Sequence, residues 1–235
     1  MGATPAIHAT SFAGTSNRTS TNWAGYAALP SAHGSAGSVT RVQGTWTEPT
    51  ANCSSGRTTY ASFWVGIDGY SSSTVEQTGT DSDCAGHTAH YYAWYEFYPA
   101  GSVGISTISV HPGDTISATV RYLAATGKFR VTLTDGTHSF ATTGTVTGAK
   151  RSSAEWIAET PELCGASGCS LAKLTHFGVA HFRDCRATIN GTAGSISSFP
   201  QVVHINLKRG SATMAVTSGL PSSGSAFAVT WKAYS

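Results

Sequence analysis

Hydrophobic and polar positions alternate along most of this chain with a period of two. Helical spacing is nearly absent. The alternating runs are short, and clusters of Gly, Pro, Asp and Ser close them. Ser38–Thr47 ends at Glu48-Pro49. Tyr60–Ile67 ends at the turn pair Asp68-Gly69. Ala89–Tyr98, the most aromatic run, ends at Pro99. Further strands are predicted at Ile105–Val110, Thr115–Leu123, Phe129–Thr134, Ser139–Val146, Ala154–Glu159, Leu174–Phe182, Ala187–Ile189, Val202–Leu207, Thr213–Thr217 and Ala226–Lys232. About a dozen short strands with regular turns imply an all-β antiparallel sandwich. Residues 1–21 are polar and patternless and read as a flexible arm or the remnant of a propeptide. Residues 22–235 read as a single domain.

Alternation also sorts side chains by face. In Tyr60–Asp68, Trp64, Gly66 and Asp68 point one way and Phe63, Val65 and Ile67 the other. In Ala89–Tyr98, Tyr92, Trp94, Glu96 and Tyr98 share a face. Two strands thus carry a Trp and a carboxylate together, which suits a cleft better than a core.

Composition narrows the class. Of 235 residues, 31 are Ser and 33 are Thr, and only 12 are Asp or Glu against 14 Lys and Arg. Coiled coils, disordered chains and long helices are excluded. The charge of +2 reflects near-balance rather than a basic patch, so a nucleic-acid partner is not expected. No apolar run is long enough to span a membrane as a helix. Acid scarcity suggests a chain suited to acidic surroundings, whose stability depends weakly on pH there.

Five cysteines without a Cys-x₂-Cys pair favour disulfides and a secreted, extracellular protein over a zinc site. Cys53 with Cys84 and Cys164 with Cys169 is the expected pairing, with Cys185 free. Bridges from Cys169 or Cys164 to Cys185 stay open as alternatives. His87 and His90, and likewise His176 and His181, are separated by odd offsets that put them on opposite strand faces, so no metal is expected.

Candidate chemistry rests on few residues. Asp114 and Asp135 lie at turn signals and read as structural. Glu155 sits beside Trp156 in a predicted strand. Gln77, in Gln77-Thr78-Gly79, occupies a place where an acid would give a protease signature; its amide donates and accepts but does not titrate, so it needs an acidic partner. No Gly-x-Ser-x-Gly elbow and no phosphate loop is present.

In order along the chain come Asn22-Trp23-Ala24-Gly25-Tyr26, Phe63-Trp64-Val65-Gly66-Ile67-Asp68-Gly69, Gln77-Thr78-Gly79, Ala93-Trp94-Tyr95-Glu96 with Tyr98-Pro99, Gly113-Asp114 and Ala154-Glu155-Trp156-Ile157. This series resembles the glutamic endopeptidases, or eqolisins, best known as secreted fungal acid proteases. The match runs from about Asn22 to the C-terminus. The charge balance and the Cys164–Cys169 loop suggest a bacterial branch.

The resemblance implies a sandwich of two roughly seven-stranded sheets and a Gln77/Glu155 catalytic dyad. It also implies a substrate cleft at Trp64, Asp68, Asp81, Trp94 and Glu96, with Glu76 nearby. Ionised Glu155 would serve as general base on water and then as acid to the leaving amine; Gln77 would hold the water and the oxyanion. No cofactor is implied. The partners would be protein or peptide substrates, met by a monomer. A carbohydrate-binding module or glycosidase with aromatic and acidic cleft residues is the alternative.

Overall fold

Residues 14–30, 38–165 and 168–234 are described by the computed structural model. Its strands are β1 (Gly14–Ser20), β2 (Trp23–Leu29), β3 (Val39–Thr47), β4 (Ser62–Ile67), β5 (Val75–Ala85), β6 (Thr88–Tyr98), β7 (Val103–Ile105), β8 (Thr115–Leu123) and β9 (Lys128–Asp135). They continue as β10 (His138–Gly144), β11 (Ala154–Glu159), β12 (Glu162–Gly165), β13 (Gly168–Leu171), β14 (Val179–Ile189), β15 (Thr192–Ser195), β16 (Gln201–Arg209), β17 (Ala212–Thr217) and β18 (Phe227–Trp231). Among the described residues the only helical piece is a 3₁₀ turn at Ile196–Ser198. None is long and apolar enough to cross a membrane.

The strands follow one hydrogen-bonded path, β10-β9-β8-β3-β14-β18-β17-β16-β2-β11-β4-β5-β6-β7. The path folds back on itself at the hairpin between β16 and β17, so its two halves stack as layers. Across the interior β4 lies against β3 and β8, and β5 against β8 and β9. This is the expected sandwich. Two strands lie off the path: β15 pairs with β14, and β1 lies parallel to β16.

Period two decides which side chains fill the interior. Ala24, Tyr26, Phe63, Val65, Ile67, Ala93 and Trp156 meet Trp46, Ile116, Val120, Val131 and Phe182 from the other layer. The opposite face of the β16-to-β7 half carries a separate cluster of Trp23, Ala27, Trp64, Tyr70, Trp94, Ile157, Val203 and Ile205. An aromatic patch on the outside of a sandwich needs a cover or a purpose.

The arm expected at residues 1–21 needs correction. Residues 1–13 lie outside the described residues, but Gly14–Ser20 form β1. The segment is polar on both faces, so hydrophobic alternation gave no sign of it; backbone pairing along an edge suffices to hold it. Strand β5 was likewise unpredicted, because Thr, Ser, Asp, Glu and Gln fill it while it is buried along nearly its whole length. The run expected at Ile105–Val110 shortens to Val103–Ile105. Disulfides join Cys53 to Cys84 and Cys164 to Cys169, and Cys185 is free and buried.

Candidate active site

Six strands bring one row of side chains into line. Val203 on β16, Ala27 on β2, Glu155 on β11, Gly66 on β4, Gln77 on β5 and Glu96 on β6 are successive cross-strand partners. Residues in register share a face, so Glu155, Gln77 and Glu96 point the same way. Gly66 stands between the first two and, having no side chain, leaves a gap that the edge of the Trp64 ring borders. With strands about 4.8 Å apart, the Glu155 and Gln77 backbones lie about 10 Å from each other.

Two further rows flank it. Ile157, Trp64, Gly79 and Trp94 form one; Glu159, Ser62, Asp81 and Tyr92 form the next. Gly79 is needed where the two indoles meet, since a Cβ there would lie 2.2 Å from the Phe63 carbonyl oxygen and 2.6 Å from Trp64 Cβ. Trp64 donates its indole N–H to Glu159 Oε2 at 2.8 Å, and Asn22 donates to Glu159 Oε1 at 3.1 Å. Trp94 donates to Asp81 Oδ1 at 2.6 Å. Gln77 Nε2 donates to Glu96 Oε2 at 2.6 Å, while Gln77 Oε1 has no partner. The rows enclose a recess of about 50 Å³ lined by Ser62, Gln77, Asp81, Tyr92, Trp94 and Glu159 among others. That is room for water.

This face is acidic yet dry, and burial is the main cause of every raised pKa in it. Burial pushes Glu96 up to about 7 against the Gln77 hydrogen bond, Glu159 to about 8 and Asp81 to about 6. Burial, and then the Asp81 charge, push Asp83 up to about 8. Glu155 is raised well above the usual carboxylate range by complete burial, opposed by the Ser153 hydroxyl and the Tyr70 backbone beside it. The Tyr92 hydroxyl lies 2.8 Å from Asp81 Oδ2 and 2.9 Å from Asp83 Oδ2. It has one proton to give, so one of the two carboxyls must be protonated and donate back. The resting site therefore holds its acids largely neutral.

The sequence profile of the Peptidase A4 family matches residues 21–231. The chain belongs to the peptidase A4 family. It is 35% identical over 205 residues to aspergillopepsin-2 of Aspergillus niger, covering 76% of this chain and 68% of that one. It is 33% identical over 156 residues to scytalidopepsin B of Scytalidium lignicola, covering 62% of this chain and 58% of that one. Scytalido-glutamic peptidase, solved with a transition state analog inhibitor, superposes with a TM-score of 0.76 at 26% identity, over 90% of this chain and 98% of that chain. Membership makes the protein a glutamic endopeptidase and sets aside the carbohydrate-binding alternative.

Within this A4 peptidase, Gln77, Asp81, Trp94 and Glu96 line the recess, and Trp64 packs beside Trp94. Asp68 does not line it. It follows directly after β4 in a left-handed conformation (φ 70°) that turns its carboxylate away from the strand's alternation. There it accepts the backbone N–H groups of Lys150, Arg151 and Ser152 at 2.6–2.8 Å, and the Ser152 hydroxyl at 2.9 Å. It fixes the segment that leads into β11 and so aims Glu155. Glu76 also lies off the cleft: its register partners are Ile67 and Phe97, on the interior face, where burial raises it to about 9.

Three buried acids went unnoticed in the sequence. Glu159, which lines the recess, is four residues from Glu155 on one strand, and on a strand an even separation alone puts both on one face. Asp83, two residues from Asp81, shares its face in the same way. Glu48 sits on the interior side of β5, where Thr80 and Ser82 donate to it and burial raises it to about 8. No local signal marks it.

Gly66 offers a direct test of the row. A Cβ there would lie 2.9 Å from the Trp64 ring and 3.3 Å from Gln77 Cβ. Trp64 is pinned by its bond to Glu159 and its edge contact with Trp23, so it gives way poorly. Gly66→Ala is expected to lower kcat at least about tenfold while costing about 1–3 kcal/mol of stability. Unchanged kcat, measured beside a urea titration, would remove the need for an open gap at this position.

Proposed function

We propose that the protein is an acid endopeptidase that hydrolyses peptide bonds outside the cell as a monomer, with Glu155 and Gln77 as its dyad. The observation that carries this is the row Glu155–Gly66–Gln77–Glu96, two polar groups facing each other across a glycine gap. Two disulfides support an oxidising compartment.

Burial makes the resting state differ from the ionised one that the sequence suggests. A carboxyl held well above its usual pKa starts the cycle neutral. A neutral carboxyl is bifunctional: one oxygen donates a proton and the other accepts one. The Glu155 O–H protonates the scissile carbonyl oxygen as water attacks the carbon, and the other oxygen takes the proton that the water loses. A gem-diol results, and Glu155 is again neutral. It then gives its proton to the amide nitrogen and recovers one from the diol as the C–N bond breaks.

Gln77 Oε1, unpartnered at rest, accepts from the attacking water. The Nε2 hydrogen not used on Glu96 donates to the carbonyl oxygen as charge builds there. Glu96 fixes which way the amide points. Glu159, through Trp64, braces the floor of the recess.

Digestion of casein near pH 4 tests the reading. Gln77→Ala is expected to lose at least about 100-fold in kcat, the scale of one oxyanion donor. Near-normal turnover in that variant would take Gln77 out of the mechanism. Because the neutral carboxyl is the working form, kcat should fall as pH rises through the raised Glu155 pKa; a rise instead would restore the ionised carboxylate as the starting base. Pepstatin should not inhibit, since no aspartic dyad carries the water.

A further inference from the structure

The outer face of the second layer carries a line of arginines. Arg41 on β3 lies directly opposite Arg121 on β8, and Arg121 directly opposite Arg130 on β9. All three are exposed. Arg186 on β14 is opposite Gln43, two residues from Arg41, and Lys128 is two residues from Arg130. Period two keeps these on the same face, and Thr and Ser fill the positions between them. Near-balance of charge in the sequence had suggested that no basic patch exists. Register across β3, β8 and β9 builds one.

Like charges directly opposite each other on paired strands are destabilising. None of these four arginines has an acidic partner among the described residues; the ion pairs there are His111–Asp114 and Arg183–Asp184, the latter at the bulge of β14. The reason lies on the other layer and in the interior. Eight of the 12 acids are buried: Glu48, Asp68, Glu76, Asp81, Asp83, Glu96, Glu155 and Glu159. That leaves 12 − 8 = 4 acids near solvent against 14 Lys and Arg, an excess of 14 − 4 = 10. A sequence charge of +2 thus conceals a strongly basic exterior, most concentrated along the arginine line.

We propose that this face binds an extended phosphodiester polymer through its backbone charges. Arginine forks match phosphate oxygens, and a line of them on successive strands suits a repeating anion rather than a single one. Phosphate is favoured over carboxylate by the working pH: a carboxylate polymer loses its charge near pH 4, whereas a phosphodiester keeps it. Among the described residues the exposed large hydrophobic ones are Val103 and Val179, so the face shows no aromatic platform there for stacking bases and reads the backbone alone. The face lies on the layer opposite the Gln77/Glu155 row, so tethering and hydrolysis are separable. An acid peptidase would by this means be held on a phosphopolymer surface while its cleft stays free.

The test is binding of poly(glycerol phosphate) at pH 4.5 over a salt series. The native protein is expected to bind with an affinity that falls with salt. R41Q/R121Q/R130Q should bind at least tenfold more weakly at 50 mM salt, with the log–log salt slope reduced by about 2, from about 0.7 for each lost phosphate contact. Casein hydrolysis by the variant should match the native rate. Where the triple variant fails to fold, R121Q alone, the middle of the line, is expected to weaken binding about threefold. No binding by the native protein, or equal binding by the variants, would overturn the proposal. Polygalacturonate bound as tightly at pH 3 would overturn the choice of phosphate, and single-stranded DNA bound tenfold more tightly than poly(glycerol phosphate) would overturn backbone-only recognition.

Discussion

Glu155→Gln is expected to remove peptide hydrolysis, with kcat reduced by at least about 1,000-fold. Positioned proton transfer supplies roughly 10² to 10⁴ in rate, and here one residue performs every transfer. The amide has the shape of the acid but cannot pass a proton from one heavy atom to the other. Residual activity within a factor of ten would take Glu155 out of the proton path. The same variant should not lose stability. Near pH 4 a neutral carboxyl is exchanged for a neutral amide of equal size, so Tm should hardly move. Near pH 8 the native protein must either ionise a fully buried group or hold its proton against the solvent, and the variant does neither. Its Tm there should rise. A Tm unchanged at both pH values, with activity lost, would separate catalysis from the burial effect and leave the first claim standing without the second.

The second large effect is on stability across pH. Burial raises Glu48 to about 8, Glu76 to about 9, Asp83 to about 8, Glu159 to about 8, Glu96 to about 7 and Asp81 to about 6. In the unfolded chain all six titrate near 4. The folded state therefore binds more protons between about pH 4 and 8, and stability must fall as pH rises through that window. The contribution is present in full below about pH 4 and is gone once the folded groups have ionised. A carboxyl that keeps its proton across ten times lower acidity when folded than when unfolded contributes about 1.4 kcal/mol. The groups share protons and do not add, but a loss of about 5 kcal/mol overall would lower Tm by at least about 10 °C between pH 4 and 8. At the acid end, repulsion among 14 Lys and Arg and nine His limits the gain. The sequence suggested only weak dependence on acidification; buried acids make acid the stabilising direction. A calorimetric Tm that is flat or higher at pH 8 would show that these carboxyls are hydrated or relaxed in solution.

Much of the site could be seen in the alternation of two strands. Trp64 with Gly66, and Trp94 with Glu96, share a face in the structure because nothing disturbs the pleat between them. Asp68 broke the rule because it lies just past the end of β4, where its left-handed backbone leaves the pleat. Strand β5, which carries Gln77, was invisible to hydrophobic patterning, since hydroxyls, amides and acids fill both its faces. The short motif around Gln77 located the residue without locating the strand. The arginine line needs the register of three strands between residues 41 and 130, and no local pattern contains it.

The Cys53–Cys84 bridge bears on how the dyad comes apart. The closed covalent loop contains β4 and nearly all of β5, and with them Trp64, Gly66, Gln77 and Asp81. Glu155 lies outside it, joined to that loop by the β11–β4 hydrogen bonds, the Asp68 clamp and the Trp64–Glu159 bond, none of them covalent. Gln77 and its surroundings thus form a cyclised half that keeps its connectivity through partial opening, while Glu155 rides on a strand held between β2 and β4 without a covalent tie. In hydrogen exchange the amides of β11 should open at lower free energy than those of β4 and β5. The enzyme would then lose its proton carrier first and its oxyanion donor last, and a molecule opened only that far could recover by the return of a single strand.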